Sequence, residues 1–107
     1  MEVYYKLGNG FLEKVYENAL MYELELMGIY SENQKEIKVE YKERLVGNYI
    51  EDIVVDKKII VELKAIRNVD ENSEAQLLNY LKATGFKVGY IINFGHPKKL
   101  QFKRMVL

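Results

Sequence analysis

The sequence predicts an α/β fold, in which helices pack on a mixed sheet of four or five strands. Two stretches repeat apolar residues at helical spacing, and the other apolar runs are rich in β-branched and aromatic residues. The second helix falls between the third and fourth strands, which allows a right-handed parallel crossover. At 107 residues the chain can bury one core, so we expect a single domain over residues 1–107.

The two predicted helices have clear ends. The first spans residues 10–27 and is followed by Gly28, a residue typical of helix C-termini. Its apolar residues recur every three or four positions: Phe11, Leu12, Val15, Ala19, Leu20, Leu24 and Met27. The second begins with Asn72 or Ser73 as its N-cap and ends at Gly85. Its apolar stripe consists of Leu77, Leu78 and Leu81.

Five segments are predicted as strands. They cover residues 34–41, 45–55, 58–66, 86–94 and 100–107. The tight turn Asp56-Lys57-Lys58 joins the second strand to the third. The fourth segment is apolar over most of its length, which predicts a central strand covered on both faces.

Acidic side chains lie inside the second and third predicted strands, where core residues are expected. Side chains alternate between the faces of a strand, so pairing the apolar sets of both strands fixes their register. That register sets Asp52 directly opposite Glu62, with Lys64 two residues further on the same face. Facing carboxylates repel, and Mg²⁺ between them would remove the repulsion. Lys64 would then assist a water that attacks phosphorus. The alternative is a surface hairpin whose charges are solvated or cross-paired.

Composition excludes several classes of function. The chain has no cysteine, and therefore neither a disulfide nor a thiolate zinc site. The lack of cysteine is compatible with the cytoplasmic location that we expect. No apolar run approaches the ~20 residues of a membrane span, so we expect no membrane contact. No glycine-rich phosphate loop is present. The 16 basic and 16 acidic residues balance, which disfavours tight non-specific binding of nucleic acid. The single histidine, His96, is expected as an exposed turn residue beside Pro97.

Several motifs resemble one known family. Asp52 with Glu62-Leu63-Lys64 resembles the core motif of the PD-(D/E)xK nucleases, with Glu51 in place of the proline. The segment from Gly10 to Tyr16 reads GFLEKVY and resembles the motif of the GxxExxY family, a branch of that superfamily. Residues 61–65, 76–82 and 89–94 are similar to the same family. The resemblance covers nearly the whole chain from about Leu7 and implies a restriction-endonuclease-like core.

The resemblance also implies a role for each residue of the site. The implied ligands of Mg²⁺ or Mn²⁺ are Glu13, Asp52, Glu62 and the carbonyl of Leu63. The implied catalytic residues are Asp52, Glu62, Lys64 and Gln76, with Tyr80 at the edge of the site. Members of the family usually carry a longer helical segment before the glycine motif, and often have proline where Asn9 stands. The first predicted helix is therefore expected to be incomplete at its start.

Several of these residues also fit an ordinary structural role. Glu13 suits the first turn of a helix, where the helix dipole favours an acid. Gln76 suits an exposed polar face equally well, and Tyr16 is expected to pack rather than to catalyse. The basic residues near the C-terminus form either a phosphate-contacting strip or plain solvated surface. They are Lys98, Lys99, Lys103 and Arg104.

The leading prediction is a nuclease that hydrolyses nucleic-acid phosphodiester bonds, DNA first, with metal-activated water. The main alternative is a module on the same fold that binds nucleic acid or protein with little turnover, which the neutral charge and small size favour. A homodimer would supply a larger binding surface. A degenerate structural domain is a third alternative, and the joint presence of Asp52, Glu62 and Lys64 argues against it.

Overall fold

The computed structural model describes residues 2–107, which form three helices and a five-stranded sheet. In chain order these are α1 (Glu2–Leu7), α2 (Glu13–Leu26), β1 (Ser31–Tyr41), β2 (Arg44–Val55), β3 (Ile59–Lys64), α3 (Glu71–Thr84), β4 (Val88–Asn93) and β5 (Gln101–Val106). The strands follow the order β1-β2-β3-β4-β5. β3 and β4 are parallel and joined through α3, whereas the other neighbours are antiparallel. The predicted mixed sheet with flanking helices is confirmed.

Each face of the sheet packs against a different helix. The cluster on the α2 side consists of Val3, Tyr16, Leu20, Ile53, Val61, Leu63 and Phe94. The cluster on the α3 side consists of Ile60, Leu77, Leu81 and Ile91. Residues of β3 alternate between the two clusters, as the predicted assignment of faces requires. Within residues 2–107, no helix is long and apolar enough to cross a bilayer.

The middle of the sheet is β3 rather than β4. Residues 60–63 of β3 are all buried, whereas alternate residues of β4 are half-buried. The reason lies on the α2 side, where the helical layer covers Tyr90 and Ile92 of β4 only in part. As predicted, β4 lies inside the sheet, between β3 and β5, but it is not fully covered on both faces.

The first helix of the sequence prediction is two helices in the structure. α2 begins at Glu13 rather than at Gly10, because Gly10 has φ 105°, which an α-helix does not allow. The segment before it forms the separate helix α1, which the sequence did not reveal. The other end agrees with prediction, since α2 stops at Leu26 and Gly28 follows with φ 72°.

α3 begins slightly before its predicted start. Its N-cap is Asp70, whose Oδ1 accepts hydrogen bonds from the backbone N–H of Ser73 at 2.9 Å and from its hydroxyl at 3.0 Å. Asn72 and Ser73 therefore lie inside the helix, and the sequence could not decide because Asp, Asn and Ser all cap well. The predicted end at Gly85 is confirmed, with φ 82°.

The loop that follows β3 is held by Asn93, which is fully buried. Its side-chain oxygen accepts the backbone N–H groups of Ile66 and Gly95, both at 3.0 Å. Its amide nitrogen donates to the carbonyl of Ile66 at 2.8 Å and to Gln101 at 2.9 Å. These bonds turn the chain directly after Lys64, so β3 ends there and not at Ile66 as predicted.

Gly95→Ala should destabilise the protein by about 1–3 kcal/mol, because an added Cβ would collide with the backbone of Ala65 and Ile66. The matched control is Gly47→Ala, whose Cβ would meet side chains at 3.7 Å and 3.8 Å, an ordinary contact distance. Urea denaturation of both variants measures the difference. Equal stability of the two variants would contradict the close approach of Gly95 to the backbone of Ala65 and Ile66.

Candidate active site

A polar cavity of about 150 Å³ lies at the carboxyl end of β3. Its lining comes from α2, β2, β3 and α3 and consists of Glu13, Ile50, Asp52, Glu62, Leu63, Lys64, Gln76 and Tyr80. Every residue that the sequence predicts for the site is among them, so the fold brings the whole set together. Their chemical roles stay predictions. A larger concavity of about 650 Å³ lies between α2 and the start of β1, and its described lining contains one charged residue, Glu25.

Asp52 lies where the pairing of β2 with β3 stops. The described pairs run from Val55↔Ile59 to Ile53↔Val61, and the same register extended by one residue brings Asp52 to Glu62. At this point Oδ2 of Asp52 accepts the backbone N–H of Leu63 at 2.8 Å. The side chain thus takes the place of a backbone carbonyl and fixes the carboxylate beside β3. Burial raises the pKa of Asp52, although the Leu63 N–H opposes the change.

Glu62 is a buried carboxylate without full compensation. Its residue is 5% exposed, and its Oε2 has no hydrogen-bond partner among the described residues. Burial raises the pKa of Glu62 to about 7, with Asp52 and Glu13 adding to the change and Lys64 opposing it. Buried polar atoms nearly always have a hydrogen-bond partner, so we expect this oxygen to bind a proton or a cation. The alternative of a merely solvated Glu62 is wrong.

Lys64 is oriented by two side chains of α3. Its Nζ donates to Oε1 of Gln76 at 3.3 Å, and Nε2 of Gln76 donates to the hydroxyl of Tyr80 at 2.9 Å. Gln76 and Tyr80 are one helical turn apart, so they present their polar groups on the same face. The ring of Tyr80 also meets Tyr49 edge-on, with centroids 5.0 Å apart. Gln76 is exposed, as expected for a residue on a polar helix face, but it is also bonded on both sides.

The start of α2 is fixed by Tyr16, which is fully buried. Its hydroxyl donates to the carbonyl of Gly8 at 2.6 Å and accepts the backbone N–H of Phe11 at 3.2 Å. Its ring stacks on Phe94 with centroids 4.2 Å apart. The prediction that Tyr16 packs rather than catalyses agrees with this position. The loop over residues 8–12 is thereby pinned to the core.

Glu13 is the first residue of α2 and reaches the cavity from the α2 side of the sheet. Burial raises the pKa of Glu13, the Asp52 carboxylate adds to the change, and Lys64 opposes it. A place in the first turn of a helix also suits an acid, because the helix dipole is positive at that end. Glu13 can fill both places, because the start of α2 lies at the cavity that Asp52 and Glu62 also line.

Glu17 is a buried acid near the site that the sequence did not single out. It is 4% exposed and accepts hydrogen bonds from Lys14 at 2.8 Å, Asn33 at 3.1 Å and Gln34 at 2.7 Å. Burial raises the pKa of Glu17, but these three hydrogen bonds outweigh burial and leave it below its ordinary value. A sequence signal was available, since Glu17 follows Glu13 by one helical turn and shares its face.

His96 and the basic residues lie outside the cavity lining. Nδ1 of His96 accepts the backbone N–H groups of Lys98 at 3.1 Å and Lys99 at 3.3 Å. The histidine therefore organises its loop and is half-buried, more covered than the predicted exposed turn residue. Lys103 forms an ion pair with Glu74 at 3.5 Å, which favours a place for this basic residue on the ordinary solvated surface.

The sequence profile of the PD-(D/E)XK nuclease superfamily matches residues 1–105. The chain belongs to the PD-(D/E)XK nuclease superfamily. Nucleases of this superfamily typically use divalent metal ions. The mixed sheet with flanking helices is consistent with the restriction-endonuclease-like fold that the resemblance implied.

Among solved structures, the crystal structure of SSO0001 is similar, with a TM-score of 0.66 and 16% sequence identity. The likeness covers 87% of this chain and 48% of SSO0001, so the chain spans about half the length of that protein. At this identity the likeness concerns the fold. No curated protein matches the sequence.

The superfamily implies a divalent cation, and the residues of the cavity can be tested for their fit. Among the described residues 2–107, no three acidic or histidine side chains are already arranged as a closed ligand set. The unpaired Oε2 of Glu62 nevertheless lies in a cavity that Glu13 and Asp52 also line. Mg²⁺ binds carboxylates through one or two ligands and keeps several waters, so an incomplete protein shell is compatible with it. The donor set therefore fits the ion.

Without metal, stability should fall as pH rises from about 4.5 to 7. The folded pKa of Glu62 lies above its unfolded value, so the folded state binds more protons in this window. This pKa shift corresponds to a decrease of about 3 kcal/mol in the free energy of unfolding between the two pH values. Glu62→Gln removes this contribution, so its stability relative to wild type should increase over the same range.

Urea denaturation in EDTA at several pH values measures the effect. The matched control is Glu25→Gln, which changes an exposed carboxylate at the far end of α2. A constant difference between Glu62→Gln and wild type across the window would show that Glu62 is ionised without penalty.

Proposed function

We propose that this member of the PD-(D/E)XK superfamily is a metal-dependent nuclease that hydrolyses phosphodiester bonds of nucleic acid, with DNA as the first candidate substrate. One observation carries the proposal: Glu62 leaves a buried, unpaired carboxylate oxygen in a cavity shared with Asp52 and Lys64. An uncompensated buried acid is costly for a purely structural domain. A cation would bind the acid, and a phosphate would bind the lysine beside it.

Asp52 and Glu62 would hold Mg²⁺ or Mn²⁺, with Glu13 and the carbonyl of Leu63 as further ligands. When bound, the ion would neutralise charge on phosphate oxygens and increase the acidity of a water. Asp52 is suited to its part because the Leu63 N–H holds one oxygen in place, while the carboxylate keeps lone pairs that a cation could use. Glu62 is suited because its Oε2 has no competing donor among the described residues.

Lys64 would orient the attacking water and stabilise the charge that develops on the phosphoryl group. Gln76 supports this role, because its carbonyl oxygen holds the Lys64 ammonium at 3.3 Å while Tyr80 fixes the amide. The contact with Gln76 holds the lysine on the α3 side of the cavity. Tyr80 and Ile50 would form the wall against which the substrate lies.

We further propose that the chain falls in the GxxExxY branch of the superfamily. Three residues of the motif have separate physical tasks that support this assignment. Gly10 supplies φ 105°, a conformation that side chains rarely adopt. Tyr16 pins the loop to the core, and Glu13 then starts α2 at the cavity. The loop from Gly10 to Glu13 and the first turn of α2, from Glu13 to Tyr16, thus account for the two three-residue steps of the motif.

Thermal melting with and without Mn²⁺ tests the metal site first. Wild type should melt several degrees higher with Mn²⁺, since a ligand at 100 times its Kd stabilises by about 2.7 kcal/mol. Asp52→Asn should lose this response, while its metal-free melting temperature stays equal or rises because a buried charge is removed. Asp56→Asn, in the exposed β2–β3 turn, is the matched control and should respond like wild type. An unchanged melting temperature for wild type would exclude the metal site.

Lys64→Ala should retain the Mn²⁺-induced rise and lose cleavage by at least about 100-fold, because a positioned donor to the transition state is removed. The matched control is Lys87→Ala, just before β4 at the opposite end of the parallel pair. Cleavage is measured on single-stranded and branched DNA with Mg²⁺ or Mn²⁺. If Asp52→Asn cleaved these substrates as fast as wild type, the assignment of the site would be wrong.

A binding module without turnover is the second candidate function. It is favoured by the lack of a closed ligand set among residues 2–107. Such a module would bind DNA equally with EDTA or Mn²⁺, and its affinity would fall with salt. A homodimer would enlarge its surface, which light scattering would detect. Metal-dependent cleavage that requires Lys64 excludes this alternative.

A further inference from the structure

Gln34 has an unusual backbone conformation for a strand residue. It lies inside β1 with φ 51°, in the left-handed region that non-glycine residues rarely enter. The ladder between β1 and β2 skips this residue, whose partner by register would be Asp52. Such strained positions persist where the surrounding structure holds them, and they are enriched at functional sites. The irregularity lies directly beside a residue of the candidate active site.

This conformation lets two neighbouring side chains reach the same carboxylate. Successive residues of a regular strand point to opposite faces. Here Nδ2 of Asn33 and Nε2 of Gln34 both donate to Glu17 of α2, at 3.1 Å and 2.7 Å. Lys14 also donates to Glu17 at 2.8 Å, so three donors hold this carboxylate in place. The carboxylate of Glu17 thus serves as an anchor for the amide of Gln34.

The same amide of Gln34 also interacts with Asp52. A side-chain amide nitrogen carries two N–H donors, so it can bond to two acceptors. One donor goes to Oε1 of Glu17 at 2.7 Å. The register places Gln34 directly opposite Asp52, close enough for its side-chain amide to lower the pKa of Asp52. Glu17 and Asp52 are like charges that repel each other. An amide between them would offset this repulsion and restrict the orientation of Asp52, whose Oδ2 already accepts the Leu63 N–H.

We propose that Gln34, held by Glu17, is a positioning residue that orients the Asp52 carboxylate toward the cation. The inference rests on the proposed function, because it takes Asp52 as a metal ligand. Groups that hydrogen-bond to metal ligands fix their orientation, and their removal typically lowers metal affinity by about 10–100-fold. Nothing in the sequence pattern marks Gln34, since an amide in an exposed edge strand is an ordinary surface residue.

Gln34→Gly separates a positioning role from a structural one. Glycine adopts φ 51° without strain, and this gain offsets the hydrogen bond lost to Glu17, so the metal-free protein should melt within a few degrees of wild type. The same variant lacks the amide, so its affinity for Mn²⁺ should fall at least about tenfold. Isothermal titration with Mn²⁺ and metal-free thermal melting provide the two measurements. A purely structural role predicts the opposite combination, lower stability with unchanged affinity per folded molecule.

The matched control is Asn33→Ala. It removes the neighbouring amide from Glu17 and leaves Gln34 in place, so Mn²⁺ affinity should stay at the wild-type value. Wild-type affinity in Gln34→Gly would overturn the inference and leave the proposed function intact. Equal weakening in both variants would also overturn it, because the effect would then belong to the strand as a whole. If wild type itself binds no Mn²⁺, the proposed function fails, and the inference with it.

Discussion

The pairing of β2 with β3 is the constraint on which the site depends. Apolar residues on both faces hold Ile53 opposite Val61, and a slip by one residue would turn Glu62 into the cluster beside α2. The ladder then stops, and Asp52 continues it with its side chain by accepting the Leu63 N–H. Two acids are thereby held at the end of β3 by hydrophobic packing, although their own repulsion opposes this arrangement.

Glu17 and Glu62 are both buried acids, but they differ in the hydrogen bonds that their carboxylates receive. Glu17 receives hydrogen bonds from three side chains, and its pKa is lowered despite burial. Glu62 keeps an oxygen without a partner among the described residues, and burial raises its pKa to about 7. The hydrogen bonds to Glu17 suit a residue that anchors other side chains. The unpaired oxygen of Glu62 suits a residue that binds a ligand. Perturbed acids in a polar cleft are typical of functional sites.

Both helical layers contribute to the cavity, which lies at the edge of the sheet between them. α2 brings Glu13 from one side, and α3 brings Gln76 and Tyr80 from the other. Buried Asn93 turns the chain away after Lys64, which leaves the end of β3 open to a ligand. The fold therefore brings three acids, the lysine and the amide of Gln76 together in one cavity.

Apart from Glu13, which only the resemblance to a family predicted, the sequence by itself determined the sheet, the faces of β3, the turn at Asp56-Lys57-Lys58 and the acids and lysine that line the cavity. These features follow from local periodicity, since alternation of apolar residues fixes which side chains are buried and which register brings them together. The tertiary structure alone decided that Gly10 interrupts the helix, that Glu17 is buried and that Gln34 faces Asp52. The break at Gly10 goes with a loop that the buried Tyr16 holds through Gly8 and Phe11. The other two features depend on partners distant in sequence, since Gln34 and Glu17 are 17 positions apart. Periodicity carries no information about such pairs, because they form only when helix, strand and loop pack together.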